Sequence, residues 1–186
     1  MSFEQTAPPS APVYRLDEFE RKPTGWTLPM QRAVGLYLIV GTILAFVVYF
    51  AVQTELHRVV HDQLVKSLAT QSQKAYTAGE INTLTDQSLL AGLIGSVFFG
   101  LIAVAFGAVT LARRATWIFI VDMVLTGFGV LGLIFALISL VSPQKVALSA
   151  AYSVLQSMAS TALFAWMMVG LVKYGPWAEE KVPVAL

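Results

Sequence analysis

Four apolar stretches, Ala33 to Val52, Leu89 to Ala112, Trp117 to Val141 and Leu148 to Val172, carry between them one formally charged side chain, Asp122. At 1.5 Å per residue each is long enough to cross a hydrocarbon layer of ~30 Å as a helix. A helix satisfies its own backbone hydrogen bonds, which lipid cannot do for it. The expected fold is therefore all-α: a polytopic membrane protein with four transmembrane helices in a bundle and an outer amphipathic helix after span one. The chain divides into a Pro-rich arm over 1–32, a four-span membrane domain over 33–172 with its outer segment at 53–88, and a tail over 173–186. With 56% hydrophobic and only 12% charged residues, the membrane serves as the solvent that a single soluble domain of this composition would lack.

The first apolar run follows an acidic, Pro-rich segment and continues for a full span, so it is expected to remain in the mature protein and not to be removed as a signal. Orientation follows from the basic residues. Arg15, Arg21, Lys22, Arg32, Arg113, Arg114, Lys173 and Lys181 fall on one side, and Arg58, Lys66, Lys74 and Lys145 on the other. The positive-inside rule places the richer side, with both termini, in the cytoplasm of a multi-pass protein of the cell membrane. Arg113-Arg114 weighs most, because it sits in the very short Ala112 to Thr116 connection. Trp26, Trp117, Tyr174 and Trp177 are aromatic anchors for the same face, and Pro143 is expected to end span three on the other.

Between spans one and two, no Gly or Pro interrupts the chain from Thr42 to Ala78. Leu56, Val60, Leu64 and Leu68 recur every fourth residue, whereas Glu55, Arg58, Asp62 and Lys66 take other faces. This predicts an amphipathic helix that lies on lipid, packs on a partner, or prolongs span one as a stalk. Gly79 is the expected break, with caps at Thr83 to Asp86 or Thr85 to Ser88. His57 and His61 share a face at a spacing that can hold two ligands of a metal. The run His-Arg-Val-Val-His lacks the Glu of a zinc protease, the chain has no Cys, and Asp62 is expected about 100° round the helix from His61. Two solvated histidines are the plainer reading, and no metal or other cofactor is expected.

Asp122 lies some five residues into span three, about 8 Å below its start. A carboxylate there is costly unless protonated, hydrogen-bonded or turned toward Arg113, Arg114 or water. Tyr37, Thr42 and Trp166 come to similar depth on other spans and are the expected intramembrane polar contacts. Span four carries Ser149, Ser153, Ser157 and Thr161 at fourth positions, with Gln156 and Ser160 alongside. Span two offers Gly92, Ser96 and Gly100 at the same spacing, and span three Gly132 and Ala136. Small residues let helices approach closely, so these stripes are expected to be packing or partner seams. The alternative use of the span-four stripe is a polar groove for a lipid headgroup, quinone or small solute. No intramembrane His, Lys or second acid accompanies the serines, so no catalytic residues are assigned.

The arm combines an extended Pro-rich piece, Ala7 to Pro12, with Tyr14 to Lys22, where mixed charges surround Tyr14, Leu16 and Phe19. The latter is expected to be a solvated tail or a short turn of helix that docks on a partner. The tail is expected to be interfacial, with Trp177 near the headgroups and Glu179-Glu180 in water. The net charge of +1 points away from nucleic acid.

The layout of a long outer segment after span one, Arg113-Arg114 in a tight inner turn and a Tyr174-Gly175-Pro176-Trp177 end resembles small four-span actinobacterial membrane proteins, some of them accessory subunits of respiratory cytochrome supercomplexes. The resemblance covers the general layout and transfers no functional residue. Claudin-like proteins share the four spans, but their paired Cys is absent. Too few polar groups for chemistry and more small-residue surfaces than an isolated bundle needs predict a non-catalytic accessory or scaffold subunit of a larger membrane complex, with larger membrane subunits and lipid as partners, and the resemblance implies the respiratory chain as its setting. A small homo-oligomeric transport or lipid-handling protein using Asp122 and the span-four stripe is the alternative, and an enzyme is not expected. A cysteine introduced at Lys74 is expected to react with a membrane-impermeant maleimide added outside intact cells; labelling only after the cytoplasmic face is opened would reverse the topology.

Overall fold

Four of the five helices are long and apolar enough to cross a membrane, and the fifth continues the first. The structure, a computed structural model, describes residues 14–71, 76–141 and 146–185. In chain order come strand β1 (Tyr14–Pro23), helices α1 (Thr27–Ala51), α2 (Gln53–Gln71), α3 (Ala78–Ala112), α4 (Thr116–Val141) and α5 (Ala147–Tyr174), a 3-10 turn (Pro176–Ala178) and strand β2 (Glu179–Ala185). Ala7 to Pro12, Lys74 and Ser142-Pro143 lie outside the described residues.

Because no Gly or Pro intervenes, α1 passes into α2 with only Val52 off helical geometry, at φ −107° and ψ 10°. Hydrogen bonding runs through the junction: the Val52 N–H donates to Val48 O at 3.0 Å, and Val52 O accepts from Leu56 N–H at 2.9 Å. The stripe Leu56, Val60, Leu64 and Leu68 is half-buried, as are Ile81 and Leu84, because α2 packs against α3 of the same chain. The amphipathic face therefore has a covering helix within the molecule. The 35 residues of α3 span about 52 Å, well beyond a ~30 Å hydrocarbon layer, and the surplus runs beside α2.

The start of α3 corrects the expected caps. Thr77 is the N-cap: its hydroxyl accepts from Glu80 N–H while the Glu80 carboxylate accepts from Thr77 N–H, a reciprocal capping box. Gly79 lies inside the first turn instead of breaking the helix, and Thr83 and Thr85 donate back to Gly79 O and Ile81 O. The box completes both bonds with Glu at the third position. Asp86 takes up His57 instead.

The helices touch in the order α3, α1, α5, α4. Glycine sets the two closest crossings. A Cβ on Gly107 would stand 2.8 Å from Gly35 O, so α3 meets α1 backbone to backbone; one on Gly129 would collide with Ser160 Cβ, so α4 lies directly on α5. Lipid supplies no hydrophobic drive between helices, and such close packing takes its place. By contrast, α3 and α4 have little direct contact. The Phe106–Trp117 edge contact and the Thr110–Asp122 bond tie them beside their short connection.

The two ends of the chain depart most from expectation. Tyr14 to Lys22 is neither helix nor solvated tail; it is β1, antiparallel to β2, with Arg21 opposite Lys181 and Pro23 opposite Glu179, and a register shift between Arg15 and Phe19. Each strand's partner comes from the opposite terminus, so no local pattern announces either one. Trp177 is buried within the protein. It is 1% exposed, edge-on to Phe119 at 5.2 Å, and its Nε1–H donates to Ala115 O at 3.0 Å. To reach that seat the chain turns through Gly175 at φ 103°, Trp177 at φ 58° and Ala178 at φ 53°. Two non-glycine residues in the left-handed region cost roughly 1–2 kcal/mol each, which burial of the indole offsets. Glu179 is not in water: its carboxylate is 11% exposed and 3.6 Å from Arg114.

The core sits at this end of the helices, where Met30, Val34, Leu38, Ile118, Phe119, Met167, Trp177 and Ala178 form one buried cluster. Trp177→Ala removes its largest member, and a loss of about 3–5 kcal/mol is expected. Thermal unfolding in detergent checks this, with the half-exposed Trp26→Ala as a control that shifts little.

Candidate functional site

Polar side chains within the spans gather in two places, one sealed and one open. The sealed place surrounds Asp122. Its side chain is 0% exposed, and Oδ2 accepts from the Thr110 hydroxyl on α3 at 2.6 Å. Oδ1 has no hydrogen-bond partner among the described residues. One turn on, the Thr126 hydroxyl donates to Asp122 O at 2.8 Å. Across from it, the Gln31 side-chain amide on α1 donates to Thr110 O at 2.6 Å. The chain Gln31, Thr110, Asp122 thus links α1, α3 and α4 just inside the end that Trp177 closes. Asp122 turns to none of the partners expected for it. Tyr37 donates to Gln156 O, Thr42 donates back to Leu38 O, and Trp166 packs against the core cluster. Arg114 is 3.6 Å from Glu179.

Thr110 was legible in principle. It is the hydroxyl of the last turns of span two, and antiparallel helices joined by Arg113 to Ala115 bring it to the depth of Asp122. Gln31 lies ahead of the first apolar run, where an intramembrane partner is not sought, yet α1 begins at Thr27.

The open place is a cleft of about 410 Å³ toward the other end of the helices, between α1, α3 and α5. It reaches from Val52 and Leu56 inward to Thr42 and Gln156. Its polar wall is α5, through Ser149, Tyr152, Ser153 and Gln156, faced by Tyr49 on α1 and Ser96 on α3. Ser153 and Gln156 also line a second groove of about 370 Å³ against Gly132 and Ala136 of α4. The two grooves flank α5 on the side where α3 and α4 stand apart. Among the described residues no Asp, Glu, Lys, Arg or His lines either one, Asp122 included.

The stripes of small residues divide accordingly. Gly100 is a packing position, since a Cβ there would stand 2.9 Å from the Phe46 ring, and Gly132 faces the Ser157 hydroxyl, 3.1 Å from where its Cβ would be. Gly92 has nothing within 4 Å of a Cβ, and Ser96 is exposed and donates to Gly92 O. Gly92 therefore packs against no other helix among the described residues, whereas Ser96 looks into the cleft. Ser153 and Thr161 donate back to Ser149 O and Ser157 O. The seam residues that pattern reading missed are Gly35 and Gly129. Each packs by the absence of a side chain, so neither adds to a periodic stripe.

The histidines separate. His57 Nε2 is 3.2 Å from Asp86 Oδ1 across the α2–α3 contact, and His61 Nδ1 is 3.7 Å from Asp62 Oδ1. Asp62 thus comes nearer His61 than a simple 100° step suggests, because adjacent side chains can bend toward each other through their rotamers. Facing different acids, the two imidazoles do not converge on one point. Among the described residues no group of three His, Asp or Glu could hold a metal ion.

Comparison with protein-family models, with curated proteins and with solved structures finds no match. The Asp122 contact makes its own prediction. Thr110→Val strips a buried carboxylate of the one donor its side chain has, and a loss of about 1–3 kcal/mol is expected. Asp122→Leu in the same background should recover much of it, since two apolar groups leave no polar atom stranded. Unfolding midpoints of the two single variants and the double variant measure this.

Proposed function

We propose that this chain is a non-catalytic accessory or scaffold subunit of a larger membrane protein complex, embedded in the cell membrane as a four-helix bundle with both termini in the cytoplasm. The observation that carries the reading is the place of Asp122. The one charged group of the four apolar stretches holds α3 to α4 in a sealed position, which takes it away from any solvent-connected path. Proton or solute transfer needs a group that meets both its load and water. What remains for function is surface: the open stretch around Gly92, the apolar faces of α3 and α4 where Phe98, Phe99, Phe128 and Phe135 stand exposed, and the two-stranded sheet at the packed end. A sheet made from both termini also gives the cytoplasmic side a shaped element with which to meet a partner. The general layout is the ground for naming a respiratory complex as that partner.

The second reading is a small oligomeric transport or lipid-handling protein. The cleft beside α5 favours it, although Asp122 contributes nothing to that cleft. The deciding experiment is a mild-detergent pull-down of tagged protein from its native membrane, with mass spectrometry and an absorption spectrum. Stoichiometric larger membrane subunits are expected, and haem absorbance in the eluate would place them in the respiratory chain. A clean homo-oligomer would overturn the accessory reading. Asp122→Asn keeps an acceptor for Thr110 and is expected to leave co-purification unchanged within about twofold; vesicles in which that variant abolishes solute flux with assembly intact would establish transport.

A further inference from the structure

The cleft between α1, α3 and α5 has a chemical character of its own. The polar side chains that line it among the described residues are all neutral. A phosphate or carboxylate headgroup finds no cation among them, and an ammonium group no acid. The hydroxyls have a common arrangement as well. Thr42 donates to Leu38 O at 2.7 Å, Ser96 to Gly92 O at 2.8 Å and Ser153 to Ser149 O at 2.9 Å, each four residues back on its own helix, while Tyr152 donates across to Gly41 O. This is the usual way for a hydroxyl to place its one proton in lipid. A hydroxyl that donates to the backbone keeps its lone pairs. These hydroxyls therefore present acceptors, while the Gln156 amide offers both donors and an acceptor, and the group that complements them brings hydroxyl donors. The volume, about 410 Å³, equals that of about a dozen waters at ~30 Å³ each, which suits a small polar head and the start of a chain. The cleft begins at Val52 and Leu56 and reaches some ten residues down α1 to Thr42, about 15 Å. Phe99, 69% exposed, stands at one edge, on the side where α3 and α4 leave a gap through which a tail can continue into the bilayer.

We propose that this cleft is a binding site for a neutral amphiphile whose head carries hydroxyl donors, of the chemistry shared by diacylglycerol and by the reduced, quinol form of an isoprenoid quinone. Thr42, Ser96, Ser153 and Gln156 receive the head, and the tail leaves between α3 and α4. The site is independent of which larger complex the chain joins, and its test uses the isolated full-length protein.

Full-length protein is reconstituted in phosphatidylcholine vesicles containing about one mole per cent of a diazirine-bearing diacylglycerol, irradiated, and mapped by mass spectrometry. Cross-links are expected on α1, α3 and α5 around Thr42, Gly100 and Ser153, at least fivefold above those from a diazirine-bearing phosphatidylglycerol. Unlabelled diacylglycerol and unlabelled quinol are then titrated as competitors. Competition at the lower mole fraction identifies the source, and failure of both to compete overturns the proposal. Ala103→Trp fills the cleft from α3 and is expected to lower labelling at least fivefold. Ser149→Trp does the same from half-buried α5 surface and guards against a variant that folds poorly. Labelling that survives both, equal labelling by the anionic probe, or labels spread over the exposed face of α4 would each refute the site.

Discussion

The contact on which the rest of the structure depends is the seat of Trp177. Its indole lies against Phe119 of α4, and its N–H is held by Ala115 O in the α3–α4 connection. The next residue's carbonyl accepts from the Thr24 hydroxyl at 2.7 Å and the Thr27 hydroxyl at 2.9 Å, at the start of α1. One turn of chain after α5 thereby touches α1, α4 and the α3–α4 connection. Within lipid, helices gain little from burying apolar surface against each other, because the tails are equally apolar. A fixed point at the water-facing end is what sets their mutual position. The left-handed backbone at Trp177 and Ala178 is tolerated because that point is held from several sides at once. It also delivers β2 next to β1, so the sheet joining the termini follows from the same turn.

From there the packing loosens along the helices. At the Trp177 end lie the buried cluster, the Gln31–Thr110–Asp122 chain and the Gly35–Gly107 crossing. Toward the other end the helices are separated by grooves whose walls are hydroxyls and the Gln156 amide. The Tyr37–Gln156 O bond at 3.2 Å and the Tyr152–Gly41 O bond hold α1 to α5 across this region, while α4 rests on α5 through Gly129 and Ser160. Only α3 stands away from α4, and α2 compensates in part by leaning on the early turns of α3.

Sequence pattern was a good guide wherever structure depends on local chemistry. Span lengths, the uninterrupted run from α1 into α2 and the amphipathic face of Leu56 to Leu68 are all local properties, and all are legible. Pattern served less well where a partner comes from far along the chain. Asp122 was singled out correctly as the odd group of the spans, but Tyr37, Thr42 and Trp166 were sought beside it on depth alone. Depth does not say which face of a helix looks where. Thr110 won because α3 and α4 are joined by a connection too short to let them diverge near it. The stripe Gly92, Ser96, Gly100 reads as one seam, yet only Gly100 meets a neighbour, since α3 leans on α1 at one level and leaves it above.

Hydropathy and charge by themselves determined four helices long and apolar enough to cross a membrane, the long segment after the first and the single acid of the four apolar stretches, because transfer into lipid is a sum over residues that needs no knowledge of neighbours. The tertiary structure alone decided that the termini pair as strands, that Trp177 is buried in the core, that Asp122 is sealed by Thr110, and that the α5 hydroxyls divide, Ser160 donating to Thr126 O of α4 while Ser149 and Ser153 line a cleft. Each of those is a relation between segments distant in the chain. Its energy depends on how helices rotate and approach, and no single segment encodes that.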